Sequence, residues 1–351
     1  MAWGDGSTIG IAYAALFPET VGRMVIDSTS CLRTANEGIP NFPLNTGISG
    51  NVLDRTYNSL MDIPAIMSEW ASQCVAAYNI NETACSFAAK SMESNDPTTN
   101  VLSRIASITT AVASSARHFD NVVSDISYYP FDVLDFLSTP EWQYLVLVLS
   151  RLEQDLADYV PQQFDDENPP SGTNENFTLA SYNAFGDPPY AYNEFSFSEI
   201  VCVDGSMEGI SQIDTFSRYI QSQITTDPYS VIMAYPGVYF AICFSWPNSG
   251  NAETYRSPFP SSAKNKILMI GVTLDSEWSY EGAFATYEYV GSQNAVWLIH
   301  DAIGNGVFWD PNECTYNAIR SYFLTGMIPG AQANEAHCQQ MGRFARRTIR
   351  G

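Results

Sequence analysis

Three stretches of this 351-residue chain place chemically capable side chains where open parallel sheets do their work, at the carboxyl ends of strands. The first is the glycine-rich turn Gly4–Gly10, which carries the hydroxyl of Ser7 and leads into a helix. The second is Asp275, a carboxylate set just beyond the apolar run Lys266 to Val272. The third is the loop Gly304-Asn305-Gly306, which follows the run Ala295 to His300. A hydroxyl, a carboxylate and an imidazole can support nucleophilic attack and proton transfer. Each also has an ordinary structural reading: Ser7 as a helix N-cap, Asp275 as a loop acid, His300 as a packed strand-end histidine. Asn305 cannot act as a base, because a side-chain amide has no basic nitrogen near neutral pH. His118 and His337 have no supporting context. No metal or cofactor is expected. The seven cysteines (Cys31, Cys74, Cys85, Cys202, Cys243, Cys314 and Cys338) form no C-x-x-C pair, and three histidines give no zinc spacing.

The elements that would hold these residues are legible at both ends of the chain. Ser7 to Phe17 is rich in small residues (Gly10, Ala12, Ala14, Ala15), as suits a helix lying close to a sheet, and it stops at Pro18. Arg23 to Asp27 reads as a short buried strand, and Lys266 to Val272 and Ala295 to His300 as two more. Cys314 to Thr325 reads as a helix with Ile319, Tyr322 and Phe323 on one face and Gly326 as its stop. Strands separated by helices predict a parallel α/β sheet. Between them lies a mainly helical stretch. Its clearest helix is Glu141 to Val160, where Trp142, Leu145, Val146, Leu149, Leu152, Leu156 and Tyr159 recur at helical spacing, and Ile213, Phe216, Ile220 and Ile224 repeat the pattern. Gln162 to Tyr192 carries four prolines and reads as a long loop. The predicted organisation is 1–34 (turn, helix and strand), 35–245 (helical insertion), 246–340 (C-terminal strands and helix) and a basic tail, 341–351, holding Arg343, Arg346, Arg347 and Arg350.

Composition narrows the partners. Lys+Arg of 16 against Asp+Glu of 38 gives a formal net charge of −22, which argues against nucleic acid and anionic membrane surfaces. The most apolar stretch, Val231 to Trp246, is too short to span a bilayer and is broken by Pro236-Gly237. The scattered cysteines and two N-glycosylation sequons, Asn81-Glu82-Thr83 and Asn176-Phe177-Thr178, favour an oxidising, extracellular compartment, although the first residues do not read as a secretory signal.

Several of these segments, in this order, resemble a known family. Trp3-Gly4-Asp5-Gly6-Ser7 and the run from Gly10 to Asp27 resemble the nucleophile-elbow helix and next strand of tripeptidyl-aminopeptidase-like α/β-hydrolases. Ile200 to Asp204 and Cys243-Phe244-Ser245-Trp246-Pro247 resemble the Cys-containing segments after the family's lid. Lys266 to Asp275 resembles the strand bearing its acid, and Cys314 to Pro329 its C-terminal helix and Gly-x-x-Pro exit. The resemblance is to the C-terminal part of a family member. It implies a partial α/β-hydrolase fold, a parallel sheet without the family's N-terminal strands, with a long apolar edge and 35–245 as the lid.

The same resemblance implies a Ser–His–acid triad and hydrolysis of short peptides, or their ester and amide analogues, through an acyl-serine. This chain departs from it at two of the three positions. No Gly-x-Ser-x-Gly is present, and the ungapped nucleophile position falls on Gly4, with Ser7 as a displaced hydroxyl. Where the family has Gly-His the chain reads Gly304-Asn305, leaving His300 as the substitute base, while Asp275 holds the acid's place. Three readings follow: hydrolysis by a divergent site of Ser7, Asp275 and His300; a non-catalytic relative that binds a peptide or a small ester or amide ligand; or a fragment that needs a complementary N-terminal polypeptide. Sequence alone leaves fifteen pairings open for six cysteines. The resemblance suggests Cys202–Cys243, Cys314–Cys338 and Cys74–Cys85, with Cys31 left over.

Overall fold

A parallel sheet in sequence order organises the chain. In the computed structural model, residues 1–29, 60–115, 142–158, 228–234, 262–327 and 335–338 are described, with single positions at Val133, Leu137, Cys202, Arg218, Cys243 and Phe259. The strands are β1 (Ala2–Trp3), β2 (Val25–Asp27), β3 (Ile267–Leu274), β4 (Ala295–Ile303) and β5 (Glu335–Cys338), each hydrogen-bonded to the next. Ala2 pairs with Ile26, Ile26 with Met269, Met269 with Trp297, and Trp297 with Glu335. β4 runs three residues past the predicted end at His300, and β5 falls where no strand was expected. β1 and β5 stand at the two ends of this order.

Side chains alternate across the sheet, as the period of a strand requires. On one face Ile26, Met269 and Trp297 meet Ile11 and Ala14 of helix α1 (Asp5–Leu16) and the helix Tyr280–Val290. Gly10 explains the close approach of α1, because a Cβ there would stand 2.8 Å from Ile26 Cδ1. On the other face Val25, Leu268, Ile270 and Leu298 meet Ala318 and Tyr322 of the helix Glu313–Thr325. Gly326 closes that helix in the left-handed conformation, as the sequence predicts. Its buried positions are Thr315, Ala318 and Tyr322; Phe323, predicted for this face, is instead 36% exposed.

The described part of 35–245 forms helices: α2 (Ile63–Ile80), α3 (Pro97–Ser115), α4 (Trp142–Asp158) and α5 (Ser230–Ala234). Trp142, Leu145, Val146, Leu149 and Leu152 of α4 are buried, at the predicted spacing, against Trp70 and Met67 of α2 and Val101 and Ile105 of α3. Arg104 binds both carboxylate oxygens of Glu153, at 2.6 and 2.8 Å, and lies over the Phe87 ring, tying α3 to α4. This core includes Ile303 and Leu274, so the helical layer covers the carboxyl ends of β3 and β4. All three pairings suggested by resemblance form: Cys74–Cys85, Cys202–Cys243 and Cys314–Cys338. The predicted loop 162–192, the apolar pattern at 213–224, the tail 341–351, Cys31, His118 and Asn176 lie outside the described residues. No described helix is long and apolar enough to cross a membrane.

Candidate functional site

The turn between β1 and α1 reverses sharply at Gly4, the position that the resemblance assigns to a nucleophile. Gly4 sits at φ 58° and ψ −128°, a sharp strand-to-helix reversal that L side chains rarely adopt. Its N–H donates to the Asp27 carbonyl at the end of β2. A Cβ built on Gly4 would meet only Trp278 Nε1, at 3.5 Å, so the turn has room for a side chain.

Ser7 is not the N-cap expected of it. It lies inside α1, fully buried, and its Oγ donates to the Asp27 carbonyl at 2.6 Å. The helix begins at Gly4 instead, with no side-chain cap. The hydroxyl bolts the first turn of α1 to β2.

Asp275 stands at the end of β3, as the sequence predicts, and is completely buried. Oδ1 accepts from the Glu277 and Trp278 N–H groups, both at 2.9 Å. Oδ2 accepts from Ser28 Oγ at 2.5 Å and from the Gly306 N–H at 3.2 Å. The acid thus joins three strand ends: its own loop, the residue after β2 and the loop after β4. None of these partners is an imidazole.

His300 is turned to another task. Its ring is fully buried, with Nε2 at 2.9 Å from the Asp310 carbonyl and Nδ1 at 2.7 Å from Thr315 Oγ1. A carbonyl only accepts, so Nε2 carries a proton. The ring fastens the loop 304–312 to the start of the helix Glu313–Thr325. The structure therefore holds Ser7, Asp275 and His300 by separate partners and does not join them into a triad.

What gathers around the elbow is a different set. Asn305, where the resemblance leads one to expect a histidine, is buried beside Gly306, and its Oδ1 finds no donor among the described residues. Gly306 has φ 77°, and a Cβ there would run into the Trp3 indole. Val307 N–H donates to Asp27 Oδ2 at 3.1 Å, while Asp27 Oδ1 is buried without a donor among the described residues. Ser28, at φ 45°, is the one non-glycine residue with positive φ among those described, and that turn delivers its hydroxyl to Asp275. Asp62, just before α2, accepts from the Asp275 and Tyr280 N–H groups and so anchors the helical layer to the acid's loop.

The carboxyls here are driven toward their neutral forms. Burial raises Asp27 to about 7, against hydrogen bonds from Val307 and Ser28 that pull it down. Burial raises Asp62 to about 6 and holds Asp275 well above the usual carboxylate range. A carboxyl whose folded pKa is raised favours the folded state fully below the unfolded value near 4. That contribution is lost as pH climbs through the folded value. Glu153 is opposite: Arg104 holds it at about 2, so its contribution appears above the unfolded value and is lost in acid. Among these described carboxyls, it is the raised group whose contribution changes between pH 5 and pH 8. Stability is expected to fall across that window by about 3 kcal/mol, with Asp27→Asn flattening the slope; melting curves at the two pH values check both. A melting temperature higher at pH 8 would overturn this account.

Asp27, Ser28 and Asp62 carry much of the site, and the sequence reading did not single them out. Asp27 left one signal, an acid ending a buried strand. The contacts of Ser28 and Asp62 come from chain segments about 250 and 210 residues away from Asp275, which no local pattern reveals. Among the described residues no cluster of three or more His, Cys, Asp or Glu could hold a metal ion.

Residues 231–338 match the family model described as TAP-like protein. That segment contains β3, Asp275, β4, Asn305 and β5. No curated protein matches the chain.

Proposed function

We propose, starting from the match of residues 231–338 to the TAP-like protein family model, that this chain binds a short peptide, or an ester or amide analogue, without cleaving it. The observation that carries the reading is Gly4: the elbow backbone is kept at the nucleophile's position, and no atom there can attack a carbonyl. Asn305 removes the base from the neighbouring loop. Ser7 and His300, the candidate replacements, are committed to backbone and side-chain partners in the interior.

Binding has its own support. Asp27 Oδ1 and Asn305 Oδ1 offer buried acceptor capacity beside the elbow, which suits a ligand carrying N–H donors. The helical layer packs over the ends of β3 and β4, where a ligand of this family's type would be enclosed. The three disulfides accord with an extracellular setting.

The test uses the purified chain with a tripeptide p-nitroanilide and the corresponding tripeptide amide. The anilide should give no release of p-nitroaniline above the blank. The amide at a hundredfold excess over its dissociation constant should stabilise the fold by about 2.7 kcal/mol, read as a rise in melting temperature. Turnover by the chain that disappears on Asp275→Asn would defeat the proposal, as would the absence of any thermal shift with peptides.

A further inference from the structure

We propose that Asn81 is a site of N-linked glycosylation, presented by a turn that the Cys74–Cys85 disulfide closes. The sequon Asn81-Glu82-Thr83 is by itself only a pattern. Its surroundings make it an acceptor.

Helix α2 buries Trp70, Ala71, Cys74 and Ala77 on one face, and a further helical turn would carry residue 81 toward that same face. The helix stops first. Asn81 is extended, at φ −151° and ψ 114°, and all three sequon residues are exposed. The main chain there is fixed at both ends. The Asn81 N–H donates to the Ala77 carbonyl, the Ala84 N–H donates to the Asn81 carbonyl at 2.8 Å, and Cys85 is bonded back to Cys74 inside the helix.

The side chain is set as well. Asn81 Oδ1 accepts from the Thr83 N–H at 3.1 Å and from the Thr83 hydroxyl at 2.9 Å. A backbone N–H can only donate, so the oxygen of the amide faces Thr83 and the NH2 group faces solvent. The preceding residue, Ile80, is 83% exposed, the most exposed large apolar side chain among the described residues. A saccharide on Asn81 would lie next to it and shield it from water.

The modification is a transfer from a lipid-pyrophosphate-linked oligosaccharide, supplied by the secretory membrane and its transferase. A bond forms between Asn81 Nδ2 and the anomeric carbon, the bond from that carbon to the pyrophosphate oxygen breaks, and the lipid pyrophosphate leaves. The amide gives up one proton, and no oxidation occurs. Thr83 is the positioning residue.

The experiment secretes the full chain from a eukaryotic host behind a cleavable leader. The tryptic peptide spanning 56–90 contains Asn81 and no other sequon, since Asn176 falls in a separate peptide. After amidase release in isotopically labelled water, residue 81 should read as labelled aspartate in most of the peptide. Asn81→Gln and Thr83→Ala should abolish the mark, and Thr83→Ser should keep it, all with unchanged melting temperatures of the deglycosylated proteins. An unmodified 56–90 peptide in the secreted, disulfide-bonded chain overturns the proposal, as does a Thr83→Ala variant that keeps its glycan.

Discussion

Replacing Asp275 by alanine is expected to cost about 4 kcal/mol of stability, because it strands several buried donors at once. In its ionised form, at a pH above its raised range, Asp275 accepts from the Glu277, Trp278 and Gly306 N–H groups and from the Ser28 hydroxyl. Each buried donor left without a partner costs about 1–3 kcal/mol, although Ser28 can rotate its hydroxyl and recover part of its share. Asn is the informative comparison. Its oxygen can replace Oδ1 for Glu277 and Trp278, but its NH2 then faces the Gly306 N–H, donor against donor. Asp275→Asn should therefore fall between wild type and alanine, losing about 2 kcal/mol. Urea unfolding with an unchanged slope measures both. An alanine variant within 1 kcal/mol of wild type would mean that the acid does not tie the strand ends together. The sequence reading gave Asp275 a catalytic role or a loop role; in this fold it is the hub of the sheet's carboxyl edge.

Much of the framework was readable from the sequence, for a common physical reason. Buried strands such as Lys266 to Val272 are continuous apolar runs, and the amphipathic pattern of Trp142 to Leu152 is strong enough to stand without context. The small residues of α1 announced its close packing, which the contact of Gly10 with Ile26 explains. What escaped the reading depended on contacts distant in sequence. β5 is four residues held by pairing with β4 and by Cys338, and nothing in Glu335–Cys338 alone requires a strand. Ser7 reads as a cap because it follows glycines at a helix start. It is drawn inward because the elbow starts the helix three residues earlier, at Gly4. His300 lies within β4 rather than at its end, since the strand continues to Ile303, and that register aims the ring at Asp310 and Thr315.

The site itself was legible in position and not in chemistry. Gly4, Asp275 and Asn305 are the three positions that the resemblance to the hydrolase family picks out, and all three stand at strand ends. The hydrogen bond from the Gly306 N–H to Asp275 also links the acid directly to the loop carrying Asn305. On the proposed reading, a serine and a histidine placed at two of these positions would complete a triad with Asp275.

Gly4→Ser combined with Asn305→His is expected to convert a chain inert to fluorophosphonates into one that they label, and either substitution alone should leave it inert. The backbone at Gly4 already has the elbow's reversal, and a Cβ fits against Trp278, so the serine brings strain without a clash. That strain costs about 1–3 kcal/mol, visible as a lower melting temperature in the single variant. A hydroxyl alone is a weak nucleophile near neutral pH and needs a base within hydrogen-bond reach. Residue 305 directly precedes the Gly306 N–H that binds Asp275 Oδ2, so an imidazole there lies on the acid's side of the elbow, where His300 does not. The acid can then hold the ring's tautomer and stabilise its protonated form. Adding Asp275→Asn should remove the labelling again, separating a working triad from a merely accessible serine. A folded double variant that stays unlabelled would show that the turn at Gly4 and the loop after β4 do not face each other, and the ligand site would then have to be sought away from these strand ends.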